Sequence, residues 1–140
     1  MLGNTDVAIL IVDSDLATLS FARWALAHYE FNVLAADTGA KALQICRNYQ
    51  ASIDLLIADV TIPDMPAWEL IARVKETHPK VAVIFLSGYS RAQMEELAVL
   101  DPDHPFVQKP FTPATLVDNV RLALRADRSV PASASVTRVN

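Results

Sequence analysis

A single cysteine, Cys46, rules out any intrachain disulfide. It falls within an apolar helical pattern and reads as a core thiol rather than a nucleophile. No apolar run approaches the ~20 residues needed to cross a bilayer. The first residues, Met1-Leu2-Gly3-Asn4-Thr5-Asp6, lack the basic and apolar parts of a signal peptide, so a cytoplasmic location is expected. Basic clusters are missing too: apart from Arg121, Arg125 and Arg128, lysines and arginines are scattered singly. Together with a net charge of −4 and a pI near 5.2, this argues against a nucleic-acid surface. No internal repeat is visible.

What is present points to one globular domain. The 140 residues are 52% apolar and 20% charged, enough for a real core and too apolar for disorder. Short apolar runs alternate with helical spacing about five times. The runs are Val7–Val12, Phe31–Ala35, Leu55–Ala58, Val81–Leu86 and Pro105–Val107. Unbroken Val/Ile/Leu runs suit strands covered on both faces. Helical patterns span Asp15–Tyr29, Thr38–Tyr49, Ala67–Thr77, Arg91–Leu100 and Pro113–Ala126. Thr38 and Thr112 read as N-caps, with Pro113 at the first helical position. Regular β-α alternation implies parallel strands with right-handed crossovers. The expected fold is therefore α/β: a doubly wound (βα)5 sandwich. The expected organisation is one domain over residues 1–126, followed by a flexible polar tail over 127–140.

Four polar residues close the apolar runs. Asp13 follows Ile9-Leu10-Ile11-Val12, Asp59 follows Leu55-Leu56-Ile57-Ala58, Ser87 ends the fourth run, and Lys109 follows Phe106-Val107-Gln108. Open α/β sheets place their chemistry at the carboxyl ends of strands. Two carboxylates, a hydroxyl and an ammonium there suit the handling of a phosphoryl group beside a divalent cation. Taken singly, each has an ordinary explanation as a turn former, a cap or a surface lysine. His28, His78 and His104 lack mutual ligand spacing and read as solvent-facing or helix-end residues. Trp24 and Trp68 read as partial core or surface contacts.

Three motifs give the chain a resemblance to a known family. Asp59-Val60-Thr61-Ile62-Pro63-Asp64-Met65, Leu86-Ser87-Gly88-Tyr89 and Lys109-Pro110-Phe111, in this order, resemble the receiver domain of bacterial two-component response regulators. The likeness covers about residues 6–126. It implies a flavodoxin-like five-stranded parallel sheet of order 2-1-3-4-5. It implies that Asp59 accepts a phosphoryl group from a histidine kinase or histidine phosphotransfer protein. Lys109 and Ser87 would contact the phosphoryl oxygens. Mg²⁺ would be held by Asp13, Asp59 and the backbone carbonyl of Thr61, with Asp15 as an additional candidate. Ser87 and Phe106 would form a switch that changes the 91–126 face for a downstream protein target. That face is also a candidate homodimer surface. The Lys109–Pro110 bond is expected to be cis. Such a domain is a signalling phosphoacceptor rather than an enzyme, though it assists its own phosphorylation and dephosphorylation. No nucleic acid or membrane is implied as a direct partner.

The chain departs from the family in two places. The acidic loop reads Asp13-Ser14-Asp15, with a neutral hydroxyl where the family usually places a metal-contacting acid. Weaker Mg²⁺ binding is expected from it. Met65-Pro66-Ala67 stands where Met-Asp-Gly is common, which suggests a different turn before the third helix. Thr61 and Tyr89 flank the site at positions that tune phosphoryl lifetime in the family. Two rival readings stay open. One is a receiver-like binding module left unphosphorylated because of Ser14. The other is a haloacid-dehalogenase-type phosphatase with Asp13 as nucleophile and Asp15 as general acid, which leaves Asp59 and Lys109-Pro110-Phe111 unexplained.

Overall fold

Residues 4–96 and 105–129 are described in the computed structural model. Five parallel strands form one sheet: β1 (Ala8–Val12), β2 (Asn32–Ala36), β3 (Leu55–Asp59), β4 (Ala82–Ser87) and β5 (Phe106–Gln108). Their spatial order is β2-β1-β3-β4-β5, as expected. The helices are α1 (Leu16–His28), α2 (Gly39–Asn48), α3 (Ala67–Thr77), α4 (Arg91–Glu96) and α5 (Pro113–Ser129). Residues 97–100 of the helix expected over Arg91–Leu100 lie outside the described residues, as do His104 and the tail from 130. Within the tail expected to begin at 127, residues 127–129 instead complete α5.

The strands alternate their side chains between two cores. Ile9, Ile11, Leu55, Ile57, Ile84, Leu86 and Val107 face α1 and α5, where Leu26, Leu116 and Val120 meet them. Leu10, Val12, Leu56, Ala58 and Phe85 face the other layer, against Leu43, Leu70, Val74 and Met94. Both faces are covered, so apolar residues run without polar interruption. Each fully buried Leu or Ile contributes roughly 1.5–3 kcal/mol by leaving water. The strand order reverses between β1 and β3, and that crevice is where such sheets bind ligands.

Local chemistry sets the helix ends. Asp15 caps α1 by accepting from Ala17 N at 3.3 Å and from the Thr18 hydroxyl at 2.6 Å. The helix closes in a Schellman turn, with Glu30 N–H on the Ala27 carbonyl and Phe31 N–H on the Leu26 carbonyl. That turn places Glu30 at φ 70°, a conformation that favours glycine. Phe31 is then spent on the turn and β2 starts one residue late. Thr38 caps α2 and Thr112 caps α5, each through its hydroxyl, as expected. Pro66 precedes α3 without a side-chain cap, so α3 starts at Ala67 with an extended residue before it instead of a glycine turn.

Candidate functional site

The fold brings Asp13, Asp59 and Lys109 to one point at the carboxyl edge of the sheet. Asp59 ends β3; Asp13 and Lys109 directly follow β1 and β5. Lys109 Nζ lies 2.5 Å from Asp59 Oδ2 and 2.8 Å from Asp13 Oδ2. Both carboxylates are buried, and the lysine is mostly so. Each Oδ1 is engaged locally. Asp13 Oδ1 accepts from Asp15 N at 2.8 Å. Asp59 Oδ1 accepts from Thr61 N at 2.8 Å and from the Thr61 hydroxyl at 2.9 Å.

One ammonium between two buried carboxylates divides their behaviour. Burial pushes the Asp59 carboxyl up, but Lys109 and the two Thr61 donors outweigh it and hold the carboxyl below its usual range. Burial dominates at Asp13, with the nearby Asp59 charge adding to it, and its carboxyl rises despite Lys109. Burial would lower the Lys109 ammonium, yet its two carboxylate partners raise it. Asp59 is thus a fixed anion at neutral pH. The cluster of two acids and one base carries an excess negative charge when fully ionised.

Ser87 ends β4 and is fully buried. Its hydroxyl accepts from Tyr89 N at 2.9 Å and donates to the Tyr89 carbonyl at 3.2 Å. It is tied to the cluster through the backbone, because Lys109 N donates to the Ser87 carbonyl at 2.7 Å. The Lys109–Pro110 bond is cis, as expected. Phe106 opens β5, away from the carboxylates. It packs half-buried on the Phe85/Met94 side of the sheet. The Arg91 guanidinium sits 4.6 Å from its ring centroid. Asp15 is exposed, and both its oxygens serve the α1 cap. Ser14 is exposed beside it.

The donor set fits a divalent cation. Among the described residues, the buried Asp13 Oδ2 has no aligned hydrogen-bond donor and meets the Lys109 charge at 2.8 Å. Two carboxylates, the main-chain oxygens of the loop after Asp59 and solvent on one side suit the hard, oxygen-seeking Mg²⁺, which keeps several waters. Among the described residues no third acid joins them.

Two contributions were not legible in the sequence. Asp64, within the loop after Asp59, accepts from Gly39 N and Ala40 N, both at 2.9 Å. It therefore satisfies the first two donors of α2 from 25 residues away. Met65 beside it packs so closely on Gly39 that a Cβ there would stand 2.8–2.9 Å from its side chain. The loop after Asp59 is thereby pinned to α2. Its only sequence signal is a short acid next to a proline, which every turn shares. The second is His78, a helix-end residue as expected but buried rather than solvent-facing.

The sequence profile of the response regulator receiver domain matches residues 9–121. The chain is 28% identical over 120 residues to "Sensor kinase CckA" of Brucella abortus (strain 2308), covering 86% of this chain and 13% of that protein. It is 34% identical over 123 residues to a "Probable cyclic di-GMP phosphodiesterase" of Vibrio cholerae, covering 86% of this chain and 27% of that protein. Among solved structures, a response regulator receiver protein from Sinorhizobium medicae WSM419 superposes with a TM-score of 0.72 at 28% identity, covering 87% of this chain and 97% of that one. The receiver domain of the hybrid histidine kinase CckA gives a TM-score of 0.69 at 30% identity, covering 84% and 98%. The chain belongs to the response regulator receiver family of two-component signalling. It spans only a fraction, 13% and 27%, of the two full-length relatives named above. Among the described residues no helix is long and apolar enough to cross a membrane.

Proposed function

We propose that this chain accepts a phosphoryl group on Asp59 from a phosphohistidine of a histidine kinase or phosphotransfer protein. The observation that carries the reading is the shared lysine: Lys109 Nζ bridges Asp59 Oδ2 and Asp13 Oδ2 at 2.5 and 2.8 Å. Asp59 Oδ1 already accepts two hydrogen bonds from Thr61, which leaves Oδ2 as the attacking atom. As the Oδ2–P bond forms, the P–N bond to the donor imidazole breaks and its electron pair returns to the ring. Lys109 is in place to transfer its charge from Asp59 Oδ2 to an oxygen of the arriving phosphoryl group. Positioning and charge neutralisation dominate such a transfer. Mg²⁺, held by Asp13, Asp59 and the Thr61 carbonyl, would neutralise phosphoryl charge when bound. Asp15, committed to its helix cap, is a poor fourth member and an equally poor general acid, which disfavours the phosphatase reading.

In the switch, the Ser87 hydroxyl leaves the Tyr89 backbone for the phosphoryl oxygens, and Phe106 turns into the space beside it. Phosphorylation would shift an existing equilibrium and change the 91–126 face for a downstream protein. A file of rings, half-buried at Phe111 and exposed at Phe21, Trp24 and His28, supports phosphodonor contact on the other side. Phe111, next to Lys109-Pro110, meets Phe21 at 5.8 Å, Phe21 meets Trp24 at 6.1 Å, and Trp24 meets His28 at 5.7 Å. The same reading places the chain in the cytoplasm with its donor.

Intact mass after incubation with acetyl phosphate tests this. Wild type should gain one phosphoryl group with Mg²⁺ and not after chelation, and Asp59→Asn should gain none. No adduct on wild type would favour a phosphate-independent binding module. An adduct retained in Asp59→Asn but lost in Asp13→Asn would turn the assignment to Asp13.

A further inference from the structure

We infer that Arg91 is a positioning residue for the switch: its guanidinium, stacked on the Phe106 ring, holds that ring outward and sets the resting bias of the unphosphorylated chain. The inference rests on the switch proposed above. Arg91 opens α4 and is exposed; its guanidinium carbon lies 4.6 Å from the Phe106 centroid, well within cation–π range. The ring packs against the core that contains Phe85 and Met94, so it is held from the inside and from above. The strand register pairs Phe85 with Phe106 and sets Ser87 two residues further along β4, on the same face as Phe85. To move toward Ser87, the ring must slide out from beneath the guanidinium.

Phenylalanine makes this contact consequential. A tyrosine would have a hydroxyl to keep in water, which opposes burial of the ring. Phe106 has none, so burying it meets little resistance from the ring itself. Arg91 supplies the missing opposition by offering the outward ring a charge that the inward ring cannot reach. Arginine suits the task because its guanidinium is planar, weakly hydrated and charged at every physiological pH. When the Ser87 hydroxyl turns away from Tyr89, the space opened must draw the ring against this contact. Arg91 therefore sets how much of the chain is switched before any phosphoryl group arrives.

The test uses the full chain without phosphodonor, with ¹³C-labelled phenylalanine rings. Phe106 signals are assigned by their loss in Phe106→Leu. The readout is the nuclear Overhauser effect between Phe106 ring protons and Ser87 β-protons, which grows as the ring moves inward. Arg91→Gln and Arg91→Ala should raise it roughly two- to five-fold, as expected for losing one cation–π contact near the surface. Arg91→Lys keeps a cation near the ring but loses the planar stack, and should fall between wild type and Arg91→Ala. An unchanged signal in both Arg91→Gln and Arg91→Ala overturns the inference, as does Arg91→Lys behaving like Arg91→Ala. The mass of the acetyl phosphate adduct is measured on the same samples. A moving ring without an adduct sinks the phosphoacceptor reading and leaves the clamp standing. An adduct with an unmoved ring sinks the clamp alone.

Discussion

Asp13 and Asp59 hold the same posture at the ends of neighbouring strands. Each Oδ1 accepts the amide two residues on, at 2.8 Å in both cases, and each Oδ2 faces Lys109 Nζ. The likeness of posture makes the opposite directions of their pKa shifts informative. Thr61 gives Asp59 a second donor that Asp13 lacks, and the lysine lies closer to Asp59.

A stability test follows from that asymmetry. The Asp13 carboxyl is raised above its ordinary 3.8, chiefly by burial. Its contribution is full below that value and is lost as pH climbs through the folded one. Asp59 is lowered, so its contribution is present above 3.8 and lost as pH falls through its folded value. Asp13→Asn removes the first effect and keeps the second. In magnesium-free buffer at pH 7 this variant should melt a few degrees above wild type. The gap should close toward pH 4. A lower melting point at pH 7 would mean that Asp13 is needed to hold Lys109.

Mg²⁺ affinity should respond to Ser14. This residue is exposed beside Asp13, and Asp15 cannot replace the missing charge because its oxygens hold Ala17 N and the Thr18 hydroxyl. Ser14→Asp should tighten Mg²⁺ binding about tenfold, or ~1.4 kcal/mol. Titration followed by Trp68 fluorescence or by calorimetry measures it. Equal affinities in the two proteins would show that the third acid does not set metal binding in this chain.

Glu30 offers a test independent of function. It occupies the left-handed position of the α1 Schellman turn at φ 70°, which costs a non-glycine residue about 1 kcal/mol. Glu30→Gly should therefore stabilise the chain by ~0.5–1 kcal/mol in urea unfolding, even though it loosens the unfolded state. Destabilisation would point to a surface contact of the Glu30 side chain that outweighs the turn.

The strands and the site were legible for one reason: apolar runs stop where polar residues must face solvent or chemistry. Asp13, Asp59, Ser87 and Lys109 each mark such a stop, and Asp13, Asp59 and Lys109 converge in the fold. Element ends were less legible. Val7 N–H bonds the Asn4 carbonyl in the opening turn and so drops out of β1. The polar run Asp127-Arg128-Ser129 reads as tail but carries no glycine or proline to stop α5. Asp64 and His78 were illegible because their roles lie in partners far along the chain. His78 reaches Ile53 and Cys46, which are 25 and 32 residues away, and no local pattern encodes such reach.

His78 should be a stability residue. Its buried Nδ1 accepts from Ile53 N at 3.2 Å, which fixes Nε2 as the donor to the Cys46 carbonyl at 3.0 Å. One ring thus joins the end of α3 to α2 and to the segment entering β3. His78→Ala would leave both backbone groups unpaired and open a cavity, costing ~2–4 kcal/mol. Urea unfolding should show that loss. A cost below ~1 kcal/mol would mean that water takes over both bonds.

Phosphoryl lifetime should depend on Tyr89. Its backbone anchors the Ser87 hydroxyl from both sides, and its side chain stands exposed at the rim of the site. Hydrolysis needs a water in line with the bond from Asp59 to phosphorus, and a bulky ring at the rim limits where that water can stand. Tyr89→Ala keeps the backbone anchor of Ser87 and removes the ring alone. The variant should lose its phosphoryl group several-fold faster, about 1 kcal/mol off the barrier, while the yield of adduct at saturating acetyl phosphate and Mg²⁺ changes little. Decay of the adduct after donor removal, followed by intact mass, measures this directly. An unchanged decay rate would move the control of lifetime to Thr61, the other residue at the rim, whose hydroxyl already bonds Asp59 Oδ1.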